Sequence, residues 1–127
     1  MSVRLRVPAV EDPDFTADLT DGEPAELRLT GSADSAASAP LAELLTALHA
    51  ELQAKRTRVI VVDMLALDAM SSVCFKQLLG WLSTLQELAP EDRYRIRIRS
   101  NPAILWQKHG LRALSCFDTT LIEIEAG

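Results

Sequence analysis

Three aspartates lie where the active site of an α/β protein would be expected. Asp34, Asp63 and Asp68 follow or flank the ends of predicted strands, and sites in such proteins assemble at the carboxyl ends of parallel strands. Carboxylates there could transfer a proton or bind a metal ion. No metal-ligand spacing accompanies them, however. We therefore predict no catalytic and no metal-binding residue.

The other residue types that could carry chemistry are scattered. His49 and His109 lie far apart, and neither a Gly-x-Gly-x-x-Gly nor a phosphate-binding Gly-Lys-Ser/Thr motif is present. Cys74 and Cys116 lie in apolar segments without a Cys-x-x-Cys pair, which predicts buried free thiols. His49 flanks a leucine stripe and is expected to be a partly exposed surface residue. The sequence thus indicates a protein that is not an enzyme and has no cofactor.

Composition narrows the class of protein further. A chain of 127 residues with 48% hydrophobic and 24% charged residues is typical of one soluble domain. Its net charge of −5 disfavours nonspecific binding to nucleic acid or to anionic lipid. No segment approaches about 18 uncharged apolar residues, and the N-terminus lacks the apolar run of a signal peptide. We expect a single cytoplasmic domain over residues 1–127, without membrane insertion.

Hydrophobic periodicity predicts alternating strands and helices, and hence an α/β fold. The expected sheet is mixed and mainly parallel with four or five strands, the first antiparallel to its neighbour, and three or four helices cross between strands. Predicted strands cover residues 3–7, 25–30, 59–62, 93–99 and 121–124. The favoured interpretation of the acidic stretch 8–24 is a solvated loop, and the alternative is that it contains a further short strand around residues 15–19. Helices are expected to begin near Pro40, at Ser71-Ser72 and at Asn101-Pro102, the last ending at Gly110, while residues 63–70 and 111–116 are expected to be connections.

The segment 93–99 has the clearest period of two in the chain. Arg93, Arg95, Arg97 and Arg99 share one side, and apolar residues share the other. We interpret the arginine side as a solvated surface that deters edge-to-edge aggregation. The alternative is a docking surface for an acidic partner.

Four segments together resemble STAS domains, the family of sulphate-transporter and anti-sigma-factor-antagonist domains. They are residues 25–34, 59–63, 71–75 and 110–114, and the resemblance covers about residues 25–125. It implies a STAS-like fold and a non-catalytic bacterial regulatory protein that binds a protein partner. That partner would be an anti-sigma kinase-like protein, a signalling assembly or a transporter component. The residues implied in partner binding are Gly31, Asp34, Ser71, Ser72 and Val73.

The resemblance also implies a phosphorylation switch, from which this sequence departs. In the family, a phosphorylated serine at the start of the second helix weakens partner binding. With the helix's apolar residues kept on the family's buried positions, Val73 takes the place of that serine, and Ser71 or Ser72 is a helix cap. An alignment shifted by one residue makes Ser72 the phosphorylation site, but it places polar Gln77 at a buried position. We favour the first alignment.

Two further functions remain open for a STAS-like chain. One is a small-ligand or nucleotide-binding module, against which the missing glycine-rich loop argues. The other is a structural subunit of a homo-oligomer, or an accessory subunit of a transporter or signalling assembly.

Overall fold

The computed structural model describes residues 10–11, 14–20, 22 and 24–126. The strand predicted over residues 3–7 lies outside them. The strands are β1 (Val10–Glu11), β2 (Phe15–Thr20), β3 (Ala25–Ala33), β4 (Val59–Met70), β5 (Arg95–Ser100) and β6 (Ile122–Ala126). The helices are α1 (Ser38–Ala54), α2 (Ser72–Gln86) and α3 (Leu105–Phe117), with short 3₁₀ turns at Ser35–Ala37 and Pro90–Asp92.

The strands form one mixed sheet in the order β1-β2-β3-β4-β5-β6. β1 and β2, and β2 and β3, pair antiparallel, whereas β3 to β6 pair parallel. Each parallel connection contains one of the three helices, as parallel pairing requires a long crossover. Because β1 has only two residues, the five longer strands make up the predicted mixed, mainly parallel α/β sheet.

One face of the sheet and the three helices enclose the hydrophobic core. Alternate residues of the central strands point into it, including Leu27, Ile60 and Ile96, each at most 1% exposed. The opposite face carries charged side chains, and no helix of the described residues packs against it. We call this side of the sheet the open face. The predicted leucine stripe of α1 is buried as expected and comprises Leu41, Leu44, Leu45, Leu48 and Leu52.

The acidic stretch contains a real strand, so its favoured interpretation as a solvated loop is wrong. Phe15 and Ala17 of β2 are buried in the core. Gly31, expected to end the next strand, instead lies within β3 at a register shift, with φ at 94°. A side chain there would collide with the carbonyl of Asp14, which accepts the backbone N–H of Ser32 at 2.7 Å. Glycine therefore permits the close β2–β3 approach.

β4 is longer than its apolar run predicts, because its second half pairs with the irregular end of β3. The segment 63–70, expected to be a connection, continues the strand to Met70, which pairs with Ala33. Asp63 consequently lies inside the strand. It is buried, its carboxylate is 3.6 Å from the guanidinium of Arg28, and it accepts the backbone N–H of Leu65 at 2.9 Å.

α3 also departs from prediction, because Gly110 lies in its middle and does not end it. The helix continues through the segment predicted as a connection, where Leu111 and Leu114 are each 2% exposed and extend the buried side. Trp106 lies so close to Gly110 that a Cβ there would be 3.1 Å from its ring. Cys116 is exposed on this helix, contrary to the prediction, while Cys74 is buried as predicted.

Arg93 does not share the arginine side of β5, because it precedes the strand. Its Nε donates to the carbonyl of Leu88 at 2.9 Å and its Nη2 to that of Gln86 at 2.7 Å. These carbonyls lie at the end of α2 and two residues beyond it, where backbone acceptors lack helical partners. Arg95, Arg97 and Arg99 lie on the open face.

Candidate partner-binding surface

The first turn of α2 is fixed by a serine cap. Ser71 has extended backbone angles (φ −68°, ψ 158°), and its Oγ accepts the backbone N–H of Cys74 at 3.3 Å. This is the usual geometry of an N-cap. Ser72 is the first helical residue and is exposed. Of the two serines proposed as the cap, Ser71 performs that role.

The end of β3 is joined to this turn by two hydrogen bonds. The backbone N–H of Ser71 donates to the carbonyl of Ala33 at 2.7 Å. The thiol of Cys74 donates to the backbone carbonyl of Asp34 at 3.0 Å. Cys74 is completely buried. Asp34 and the start of α2 therefore form one connected surface at the carboxyl ends of β3 and β4.

Four of the five residues predicted to bind a partner meet at this edge. We call Asp34, Ser71, Ser72 and Val73 the docking surface. Asp34 and Ser72 are exposed, Ser71 is half-buried, and Val73 is 42% exposed. Gly31 lies in the bulge of β3, where its visible role is to let the backbone approach Asp14.

The three aspartates considered as catalytic candidates have separate surroundings. The carboxylate of Asp34 accepts the backbone N–H of Ala36 at 3.0 Å and caps a 3₁₀ turn. Asp63 pairs with Arg28 inside the sheet, and Asp68 is exposed. Across the described residues, no group of three or more His, Cys, Asp or Glu side chains is placed to hold a metal ion.

A partly buried hydrogen-bond chain links α2, the residue that precedes β5, and α1. The indole N–H of Trp81 donates to the hydroxyl of Tyr94 at 2.6 Å, and that hydroxyl lies 2.7 Å from Nδ1 of His49. Because an indole N–H only donates, the Tyr94 hydroxyl accepts it, and the same hydroxyl is placed to donate its own proton to a neutral His49 whose ring proton is on Nε2. Burial lowers the pKa of His49 and raises that of Tyr94. Sequence spacing gave no signal for this non-local cluster.

Gln107 is a second residue whose position the sequence did not reveal. It is 2% exposed, and its Nε2 donates to the carbonyls of Met64 at 2.6 Å and Leu67 at 3.0 Å. Its Oε1 accepts the backbone N–H of Asn101 at 2.8 Å. The Gln107 side chain thereby fastens α3 to the irregular half of β4.

In the described part of the chain, no helix has the length and apolar character needed to cross a membrane.

No family model and no curated protein matches the sequence significantly. Among solved structures, the fold is similar to the crystal structure of an anti-sigma factor antagonist from Mycobacterium paratuberculosis, with a TM-score of 0.64. The alignment covers 93% of this chain and 92% of the other, at 17% sequence identity. At that identity the likeness concerns the fold. The chain therefore has the STAS-like fold of an anti-sigma factor antagonist.

Proposed function

We propose that this chain is a non-catalytic bacterial regulatory protein of the cytoplasm that binds a protein partner through the docking surface. The observation that carries the proposal is the exposure of Val73, an aliphatic residue that is 42% exposed on the first turn of α2. Burying an aliphatic side chain against a partner is favourable in proportion to the apolar area removed from water. The similar solved structure belongs to a protein named for acting on an anti-sigma factor.

The hydrogen bonds beneath the surface support docking because they fix its shape. The Ser71 cap, the Ser71–Ala33 bond at 2.7 Å and the Cys74–Asp34 bond at 3.0 Å hold the β3 end and the α2 start together. A surface that is ordered before binding loses little conformational entropy when a partner arrives. This favours recognition by a preformed surface.

We propose further that phosphate does not control this docking. Val73 has no hydroxyl group and occupies the position that the favoured alignment assigns to the phosphorylated serine. Gln77 supports that alignment, because it is half-buried and donates to the Ser38 hydroxyl at 3.1 Å. A polar contact between α1 and α2 suits this position, whereas the shifted alignment requires a core leucine there.

Capture of the partner from the native host tests the proposal. Tagged wild-type protein and two variants, Val73→Glu and Ala50→Glu, would be used as baits, with bound proteins identified by mass spectrometry. A carboxylate is tolerated at the first turn of a helix, and Ala50 is an exposed residue of α1. We expect a partner that wild type and Ala50→Glu retain and Val73→Glu loses. Equal capture by all three baits would contradict the proposed surface, and retention of only a nucleotide or another small ligand would favour the alternative function.

A further inference from the structure

A groove lies between α3 and the outer strand β6, apart from the docking surface. Its lining includes the apolar residues Pro102, Leu111 and Ile124 and the two cations Lys108 and Arg112. No acidic side chain lines it among the described residues. In a chain with a net charge of −5, this is a local concentration of positive charge.

The two cations of the groove have no acidic partner in the described part of the chain. Lys108 and Arg112 are both exposed and form none of its ion pairs. By contrast, Arg97 on the open face lies 3.3 Å from Glu123 and 3.2 Å from Glu125. Lys108 and Arg112 are four residues apart, so they lie on one side of α3 with a rise of about 6 Å between them.

The strand beside this groove has a free edge. Within the described residues, β6 pairs on one side only, with β5. The backbone N–H of Ile96 donates to the carbonyl of Leu121 at 2.8 Å, and Ile96 pairs with Ile122. In a parallel ladder with this register, the N–H and C=O of Glu123 face β5, and those of Ile124 face outward. Such an edge can accept one more strand.

The spacing of the cations matches that of alternate residues on an added strand. Residues i and i+2 of a strand are about 6.6–6.8 Å apart and point to the same face. Two acidic residues at i and i+2 would therefore reach Lys108 and Arg112 on the helical side of the sheet. The residue between them would lie beside Glu123 and Glu125 on the open face, where a third acidic residue would be repelled.

The same charges argue against a second copy of this chain as the occupant. Antiparallel pairing of two β6 edges would place Glu123 and Glu125 beside their counterparts on one face. On the other face it would bring Lys108 and Arg112 near their counterparts. Like charges facing each other across strands are destabilising.

We propose that the β6 edge is a second docking site, which binds an extended acidic segment of a protein partner as an additional strand. Acidic residues at i and i+2 of that segment pair with Lys108 and Arg112, and its backbone bonds the outward N–H and C=O of Ile124. This mode of recognition obtains affinity from main-chain hydrogen bonds and specificity from alternate side chains.

Fluorescence anisotropy with synthetic peptides tests the site. The probe is a labelled nonapeptide of threonine and valine with two glutamates at i and i+2, and its control has the same composition with glutamates at i and i+3, on opposite faces. At about 25 mM salt, where screening is weak, we expect the first peptide to bind more tightly. Its binding should also protect the amide of Ile124 from hydrogen exchange, as measured by NMR. Equal binding of both peptides, or an unprotected Ile124 amide, would overturn the proposal.

Two matched comparisons separate side-chain from backbone recognition. The variant Lys108→Gln/Arg112→Gln should weaken binding about 5-fold, as expected for two exposed ion pairs. Lys76→Gln/Arg58→Gln removes the same charge from exposed positions elsewhere and should leave binding unchanged. N-methylation of every second peptide nitrogen should abolish binding when those nitrogens face β6. Methylation of the alternate set, which points away from β6, should preserve binding. Equal effects within either comparison would refute strand addition at this site. The proposal would also be refuted if the protein self-associates without peptide and its Ile124 amide is already protected from exchange.

Discussion

At the scale of single residues, the start of α2 distinguishes two adjacent serines with different roles. Ser71 accepts the backbone N–H of Cys74, whereas Ser72 is exposed and is not the cap. We expect Ser71→Ala to lower the free energy of unfolding by about 1 kcal/mol through loss of the cap. Ser72→Ala should change it by about 0.5 kcal/mol or less. Urea denaturation of both variants measures the difference, and equal losses would show that Ser71 is not the cap.

His49 gives the protein a predictable dependence of stability on pH. Burial holds the pKa of His49 below its ordinary value of 6.5 in the folded state, so the unfolded chain binds a proton first as pH falls. The stability contributed by neutral His49 is therefore complete above pH 6.5 and is lost as pH falls toward the lower folded pKa. Protonation of the ring places a hydrogen on both nitrogens, so Nδ1 of the charged His49 cannot accept the Tyr94 hydroxyl.

We expect His49→Gln to flatten the fall in unfolding free energy between about pH 7.5 and 5. His109→Gln, a change at an exposed residue, should leave the wild-type slope intact. Urea denaturation across this pH range makes the comparison. A slope that both variants preserve would contradict the assigned role of His49. The sequence placed His49 beside the leucine stripe, but its partner Tyr94 is non-local, and such pairs have no periodic signal.

At the scale of elements, local periodicity predicted the identity of the strands and helices better than their ends. The apolar run of β4 and the leucine stripe of α1 are buried where expected. Such patterns predict burial directly, because apolar residues recur on the side of an element that faces the core. The second half of β4 depends on its pairing with β3, and the continuation of α3 past Gly110 depends on the burial of Leu111 and Leu114 in the core. These contacts join distant parts of the chain, and local composition did not reveal them.

Gln107 offers a test of how α3 is held. In Gln107→Leu, the carbonyl of Met64 and the N–H of Asn101 lose their side-chain partner, whereas the carbonyl of Leu67 still accepts the indole N–H of Trp106 at 3.0 Å. Unpaired buried polar groups are costly, so we expect the free energy of unfolding to fall by about 2–3 kcal/mol. Leu105→Ala, at a residue that is 72% exposed on the same helix, should cost about 0.5 kcal/mol or less. Thermal and urea unfolding would measure both, and a near-neutral Gln107→Leu would show that other contacts fix the helix.

At the scale of the whole molecule, the sheet separates an apolar side from a charged one. On the open face, Arg97 lies between Glu123 and Glu125, and Arg99 pairs with Glu26. These pairs are partly exposed to solvent, so their individual contributions to stability are small. They account for Arg97 and Arg99 as parts of a solvated ionic surface, the interpretation that the sequence favoured. Docking of an acidic partner there remains a prediction to be tested.

The arginine surface can be tested apart from the docking surface. We expect Arg95→Gln and Arg97→Gln each to change the free energy of unfolding by about 0.5 kcal/mol or less, as exposed substitutions do. Association of the partner with the double variant should keep its rate and salt dependence. Stopped-flow association at low and high salt makes the measurement. A slower association with a flatter salt dependence would identify this face as a docking surface instead.

The central claim is that a partner protein binds the rigid start of α2 and buries Val73. Isothermal titration of the captured partner against wild type, Val73→Glu and Ala50→Glu tests it most directly. Placing a charge in a desolvated contact should weaken binding at least 10-fold in Val73→Glu, because a loss of about 1.4 kcal/mol or more is expected. Ala50→Glu should bind like wild type, and intact mass spectrometry of the chain from its host should show no phosphate on Ser72. Unchanged affinity in Val73→Glu would contradict the account.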